Sequence, residues 1–255
     1  MRAGQRPKKK VGNVQRTVDV LPVAGKPARI PGMKRIVEFA LLYFGTPLAL
    51  LYAPALARRW LGVELGMWVI PALVLIATAV VMAEAAHGRL RPAELFSWRA
   101  PAREWALVLG RFAVCAALLW ALLRWRHPEL LWSFPRQAPA FWLVVMVCYP
   151  LVSVSAQGVL YRWYFEKRYA AAFPGRWSLL AGAVAFAFAH VIFRNPWALL
   201  FTFAGGLLFL PTYRRTGSML LANAEHALYG DFLFTVGWGS YFYEGTQAMA
   251  AAVAG

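Results

Sequence analysis

The stretch SLLAGAVAFAFAHVIF, residues 178–193, decides the reading: an uncharged apolar run that meets one histidine, His190, near its end. Two other stretches share this character. SVSAQGVLYRWYF (153–165) carries Gln157 and Arg162, and SMLLANAEHALYG (218–230) carries Asn223, Glu225 and His226. A polar or ionisable group inside a bilayer is costly, so each is a functional candidate by default. Working outward, apolar runs recur at about 36–57, 67–86, 105–123, 138–165, 178–193, 197–212, 217–230 and 232–250. The first four are long enough to span, at about 20 residues per crossing. The last four are short and closely spaced, so half-helices or re-entrant segments are among the readings. The expected fold is an all-α, polytopic transmembrane bundle of about eight segments without an internal repeat.

Composition agrees. Sixty per cent of the 255 residues are hydrophobic and 15% are charged, against roughly a quarter charged in soluble domains. Twelve Trp and ten Tyr suit a chain with many membrane–water interfaces. The net charge of +16 does not point to nucleic acid, because of where the charge lies. Ten Lys or Arg fall in the first 35 residues against one acid, Asp19, and most others sit at the ends of apolar runs. The tail has no periodic apolar face and reads as a disordered arm beside an anionic leaflet. No secretory signal peptide is visible. Placing the N-terminus in the cytoplasm puts 20 cations inside and six outside, with Arg111 within a span; the positive-inside bias therefore predicts N-in, C-in. The domains read as a basic tail at 1–35, N-terminal transmembrane helices at 36–135 and a core at 136–250. Cys115 and Cys148 lie in apolar runs and read as packed or lipid-facing.

His87 and His127 fall in loops, whereas His190 and His226 do not. Gln157 and His190 lie nearly equally far along the chain from the turn at Phe173-Pro174-Gly175. Antiparallel helices meeting there bring both to one depth, roughly 20–25 Å from the turn. Asn223 and His226, three apart, share a helical face. Three helices thus converge on a polar pocket, expected to open to the cytoplasm or laterally to lipid. Simpler roles compete with this: Phe186 as packing, Arg162 as a snorkelling cation, Glu225 as a partner of a neighbouring cation, and Asp231 as the cap of a following helix.

These residues resemble the CAAX-processing and bacteriocin-processing (CPBP) intramembrane proteases over roughly 140–243. That family carries Glu-Glu-x-x-x-Arg, then Phe-x-x-x-His, then a His-led element ending in Asn or a similar polar residue. The first corresponds to Gln157-Gly158-x-x-x-Arg162, and the second to Phe186-x-x-x-His190, which is intact. The third corresponds to His226-Ala-Leu-Tyr-Gly230-Asp231, with its polar residue five positions on rather than four. The resemblance implies an endopeptidase in which a glutamate activates water while histidines and asparagine hold the oxyanion.

Both family glutamates are replaced here, and an amide is not a base. Three readings stay open: the base has moved to Glu225 or Asp231; His190 or His226 is the base, with Gln157 positioning water; or the site only binds. A helix sets Glu225 and His226 about 100° apart, which counts against a simple relocation. The resemblance implies catalytic roles for His190, His226, Gln157, Glu225 and Asp231, and substrate binding by Arg162, Asn223 and Phe186. Partners would be a membrane-anchored peptide or protein, lipidated ones included, and membrane lipid. No cofactor is expected, although two His and one acid form a partial zinc set, so a divalent metal stays open. The location would be a multi-pass membrane protein, in the inner membrane if bacterial. The alternative is an inactive pseudoprotease acting as a membrane scaffold. A transporter is disfavoured by the lack of repeats and of paired intramembrane acids.

Overall fold

The computed structural model describes residues 32–62 and 69–242, so all but residues 32–35 of the basic tail, and the last residues of the eighth candidate segment, lie outside the described residues; the first helix already begins at Met33. Among the described residues seven long helices form the bundle: α1 Met33–Leu61, α2 Val69–Ala86, α3 Ala102–Arg126, α4 Pro139–Arg168, α5 Arg176–Phe193, α6 Pro196–Thr216 and α7 Met219–Val236. No strand occurs among the described residues. The first six are long and apolar enough to cross a membrane; α7 is diluted by Asn223, Glu225, His226 and Asp231.

Local chemistry sets the boundaries. Gly62 (φ +65°) and Gly217 (φ +63°) end α1 and α6 in the left-handed region, where glycine lacks the Cβ penalty. Pro196 opens α6 and the Asn195 side chain accepts from the Trp197 N–H, while the Ser218 side chain accepts from Leu221 N–H to cap α7. Gly217-Ser218 is therefore the whole turn between α6 and α7, which forces them into an antiparallel pair. Ser97 staples this corner from the α2–α3 connection: its Oγ donates to the Gly217 carbonyl and accepts from Met219 N–H, and its carbonyl accepts from Leu220 N–H.

Helix α7 departs from expectation. A break was expected near Gly230-Asp231, with Asp231 capping an eighth segment, but the helix runs unbroken to Val236 and ends in a 3₁₀ turn at Trp238–Tyr241. Gly230 marks a close approach to another helix rather than a turn, because a Cβ there would overlap the Tyr149 ring. Helix α4 is also irregular, with π-helical turns at Tyr149–Val154 and Val159–Tyr164.

The starts of α1, α3, α5 and α7 and the ends of α2, α4 and α6 share one end of the bundle. Five ion pairs gather there: Arg168–Glu38, Arg89–Glu84, Lys167–Glu94, Arg214–Glu166 and Arg215–Glu104. The core packs α4, α5, α6 and α7 around Leu160, Phe165, Phe186 and Phe209. Small residues let α5 and α6 approach closely: a Cβ on Gly206 would lie 2.7 Å from Ala183 Cα.

Candidate active site

Helix α4 supplies Gln157 and Arg162, α5 supplies Phe186 and His190, and α7 supplies Asn223 and His226. The hairpin pairing inferred from the turn is visible one helical turn away, where the rings of Tyr161 and Phe186 meet at 5.6 Å. Arg162 is buried and joins the motifs: Nη1 donates to Asn223 Oδ1 at 2.5 Å and Nη2 to His226 Nδ1 at 2.7 Å. It also lies over the Phe209 ring, 5.6 Å from its centre. Its role here is internal, tying α4 to α7. The His226 ring stacks on Phe209 at 4.8 Å and meets Phe186 edge-on at 5.3 Å. Phe186 in turn contacts His190 at 5.0 Å, so it separates the two imidazoles.

Hydrogen-bond chemistry fixes both tautomers. An arginine only donates, so His226 Nδ1 is an acceptor and the ring proton of the neutral imidazole sits on Nε2. That nitrogen is 3.1 Å from Tyr149 Oη. A backbone carbonyl only accepts, so His190 Nδ1, 2.8 Å from the Phe186 carbonyl, carries the proton and Nε2 holds the lone pair. His226 is thus a donor whose basic nitrogen is engaged, and His190 presents a basic nitrogen with no protein partner among the described residues. The buried Gln157 donates through Nε2 to Ser153 Oγ at 2.9 Å, and its Oε1 has no partner among the described residues.

All four groups, Gln157, His190, His226 and Tyr149, border an apolar cavity of about 880 Å³. On most helices the lining residues sit in the half away from the ion-paired end. They run from Val69 to Ile76 on α2, from Cys115 to Leu119 on α3 and from Phe186 to Phe193 on α5. Of the two expected openings, toward the cation-rich end or laterally to lipid, the first is therefore not found. Arg162, Trp163 and the ion pairs occupy that end, with Trp163 Nε1 donating to Glu94.

Glu225 faces away from the cavity. It is fully buried, accepts from Thr212 Oγ1 at 2.6 Å and pairs with Arg111 of α3 at 2.5 Å; Arg111 also donates to Thr212. The carboxylate is held by a cation, but as a fully buried group and not as the helix-surface pair that the simpler reading expected. Asp231 is half-buried outside the cavity lining, with Oδ1 unpartnered. No carboxylate lines the cavity among the described residues, and none of their His, Cys, Asp and Glu groups forms a set of three able to hold a metal ion.

Residues 136–230 match the family model for type II CAAX prenyl endopeptidase Rce1-like proteins. Over this segment the chain is similar to the CAAX-protease family. No curated protein and no solved structure matches the chain. The Rce1-like segment starts in the short Ser133–Gln137 helix, takes in α4, α5 and α6, and ends at Gly230 of α7, thus including every motif residue except Asp231.

Sequence reasoning missed Tyr149, Arg111 and Thr212 as parts of this constellation. A lone arginine within the α3 span and a lone glutamate on α7 imply each other inside a bilayer, so the Arg111–Glu225 pair had a signal. Tyr149 had none, since an aromatic residue in an apolar run reads as packing.

Proposed function

We propose that the protein is an intramembrane endopeptidase that cleaves a membrane-anchored, lipid-bearing peptide, with His190 as its base. The observation that carries this is the His190 imidazole: its Nδ1–H is fixed on the Phe186 carbonyl, and its basic Nε2 has no protein partner among the described residues, beside a cavity large enough for a lipid chain. Gln157 Oε1, an unpartnered acceptor on the same wall, suits a water molecule held for attack. In this reading His190 Nε2 takes a proton from water as the water oxygen bonds to the scissile carbonyl carbon. The tetrahedral intermediate then collapses with cleavage of the C–N bond, and the same proton passes to the leaving nitrogen. Substrate enters from lipid or from the end opposite the ion pairs. The N-in orientation, which rests on the cation count, places those ion pairs in the cytoplasm.

The test is turnover of quenched, lipid-anchored peptides by the full chain in nanodiscs. We expect cleavage, with His190→Ala reducing kcat by about 10²-fold or more. Undiminished turnover by His190→Ala would remove His190 from the mechanism. One observation favours a second reading, a scaffold that binds such peptides: the absence of a carboxylate from the cavity lining among the described residues. Saturable binding with no turnover by the unmodified chain would establish it.

A further inference from the structure

The third motif element expects a polar side chain four residues after its histidine, and this chain has Gly230 there. The space is nevertheless filled. A Cβ at Gly230 would overlap Tyr149 Cε1 and Oη, so the missing side chain makes the slot in which the Tyr149 ring lies. Tyr149 arrives from α4 at the first residue of a π turn, a distortion frequent at functional sites. Phe234 closes the other side, edge-on at 5.3 Å.

The hydrogen-bond directions then follow in series. Arg162 donates to His226 Nδ1, which leaves the His226 proton on Nε2, and that proton points at Tyr149 Oη. Tyr149 oxygen is therefore the acceptor in this contact, and its own O–H is directed elsewhere. No other protein acceptor lies within hydrogen-bond distance among the described residues, and the residue borders the cavity. Donors arranged in series polarise one another, so a cation at the head of the chain strengthens the donor at its end.

We propose that Tyr149 is a catalytic residue, donating its O–H to the substrate carbonyl oxygen where negative charge develops. No proton is transferred. The hydrogen bond strengthens as the carbonyl becomes an oxyanion, and Arg162 and His226 act as positioning residues that orient the donor. The proposal rests on the hydrolytic reading, and its test separates the two.

Tyr149→Phe keeps the ring in the Gly230 slot and removes only the donor. Two quantities are measured on the full chain in nanodiscs: turnover of a lipid-anchored peptide, and the Kd of that peptide against its phosphonamidate, a tetrahedral anionic isostere. Loss of one oxyanion donor predicts a fall in kcat of about 10²-fold with KM little changed. It also predicts phosphonamidate binding weakened at least about tenfold, with parent-peptide binding within about twofold. If the unmodified chain does not cleave, the hydrolytic reading fails, and the ratio of the two Kd values alone decides whether Tyr149 recognises a tetrahedral oxyanion. Equal weakening of both ligands, or of neither, overturns the proposal.

Discussion

The first three long helices and the next three are equally convincing as membrane spans, yet they are built differently. In the most apolar window of α1, α2 and α3 only 11% of residues are buried, against 28%, 33% and 39% in α4, α5 and α6. The first group presents nearly all of its side chains outward, and the second turns a markedly larger share toward other helices. Hydropathy does not distinguish them, because lipid and protein interior are similarly apolar. Polar content does: the buried motif residues and their backbone irregularities concentrate in α4–α7. The outer helices still reach the core, and two polar contacts mark where. Tyr43 of α1 donates to the Leu160 carbonyl at 2.8 Å, and Arg111 of α3 pairs with Glu225.

Those two anchors allow the contrast to be broken. The largest effect is expected from Arg111→Leu, which leaves the fully buried Glu225 without its counter-charge and should cost about 3–5 kcal/mol. Unfolding titrations in detergent micelles measure it, and Arg111→Leu/Glu225→Leu should recover most of the loss. No loss in the single variant would make α3 a lipid-facing helix only. Next comes Gly206→Leu within the core, where the added side chain meets the Ala183 backbone; overpacking should cost about 2 kcal/mol in the same assay. Tyr43→Phe should cost about 1 kcal/mol, the net worth of the one hydrogen bond by which Tyr43 joins α1 to α4. The smallest effect is expected at Val114, on the same helix as Arg111 but 62% exposed. Val114→Ala should shift stability by no more than about 0.5 kcal/mol. A larger shift there would mean that α3 is covered by something more specific than lipid.

Much of the fold was legible because membrane helices announce themselves by length and hydropathy. Six motif residues were also legible as a group: Gln157, Arg162, Phe186, His190, Asn223 and His226 lie at helical spacings around one short hairpin and one following helix, so local geometry brings them together. What was not legible depends on contacts distant in sequence. Tyr149 meets His226 across 77 positions and Arg111 meets Thr212 across 101, and no local periodicity encodes either. The continuity of α7 was misread because a Gly-Asp pair resembles a turn when the ring that packs on the glycine is not in view. The location of the cavity was misjudged for a related reason: a count of cations finds the charged end of a bundle but says nothing about which half is hollow.

The π turn at Tyr149–Val154 carries a consequence for how this helix tolerates insertions and deletions. A π turn holds one residue more than the α turn it replaces. Losing a single residue between 149 and 154 would let the helix close to α geometry without unfolding, and because the wide turn absorbs that residue, the segment on its N-terminal side would keep its rotation relative to Gln157 and Arg162. The same deletion in the regular α turns between 142 and 148 would rotate everything on its N-terminal side by about 100°. Phe141 would then swing away from the cavity wall while the Tyr149 ring stayed in the Gly230 slot. The wide turn is where this helix can lose a residue, and the turns before it are where it cannot.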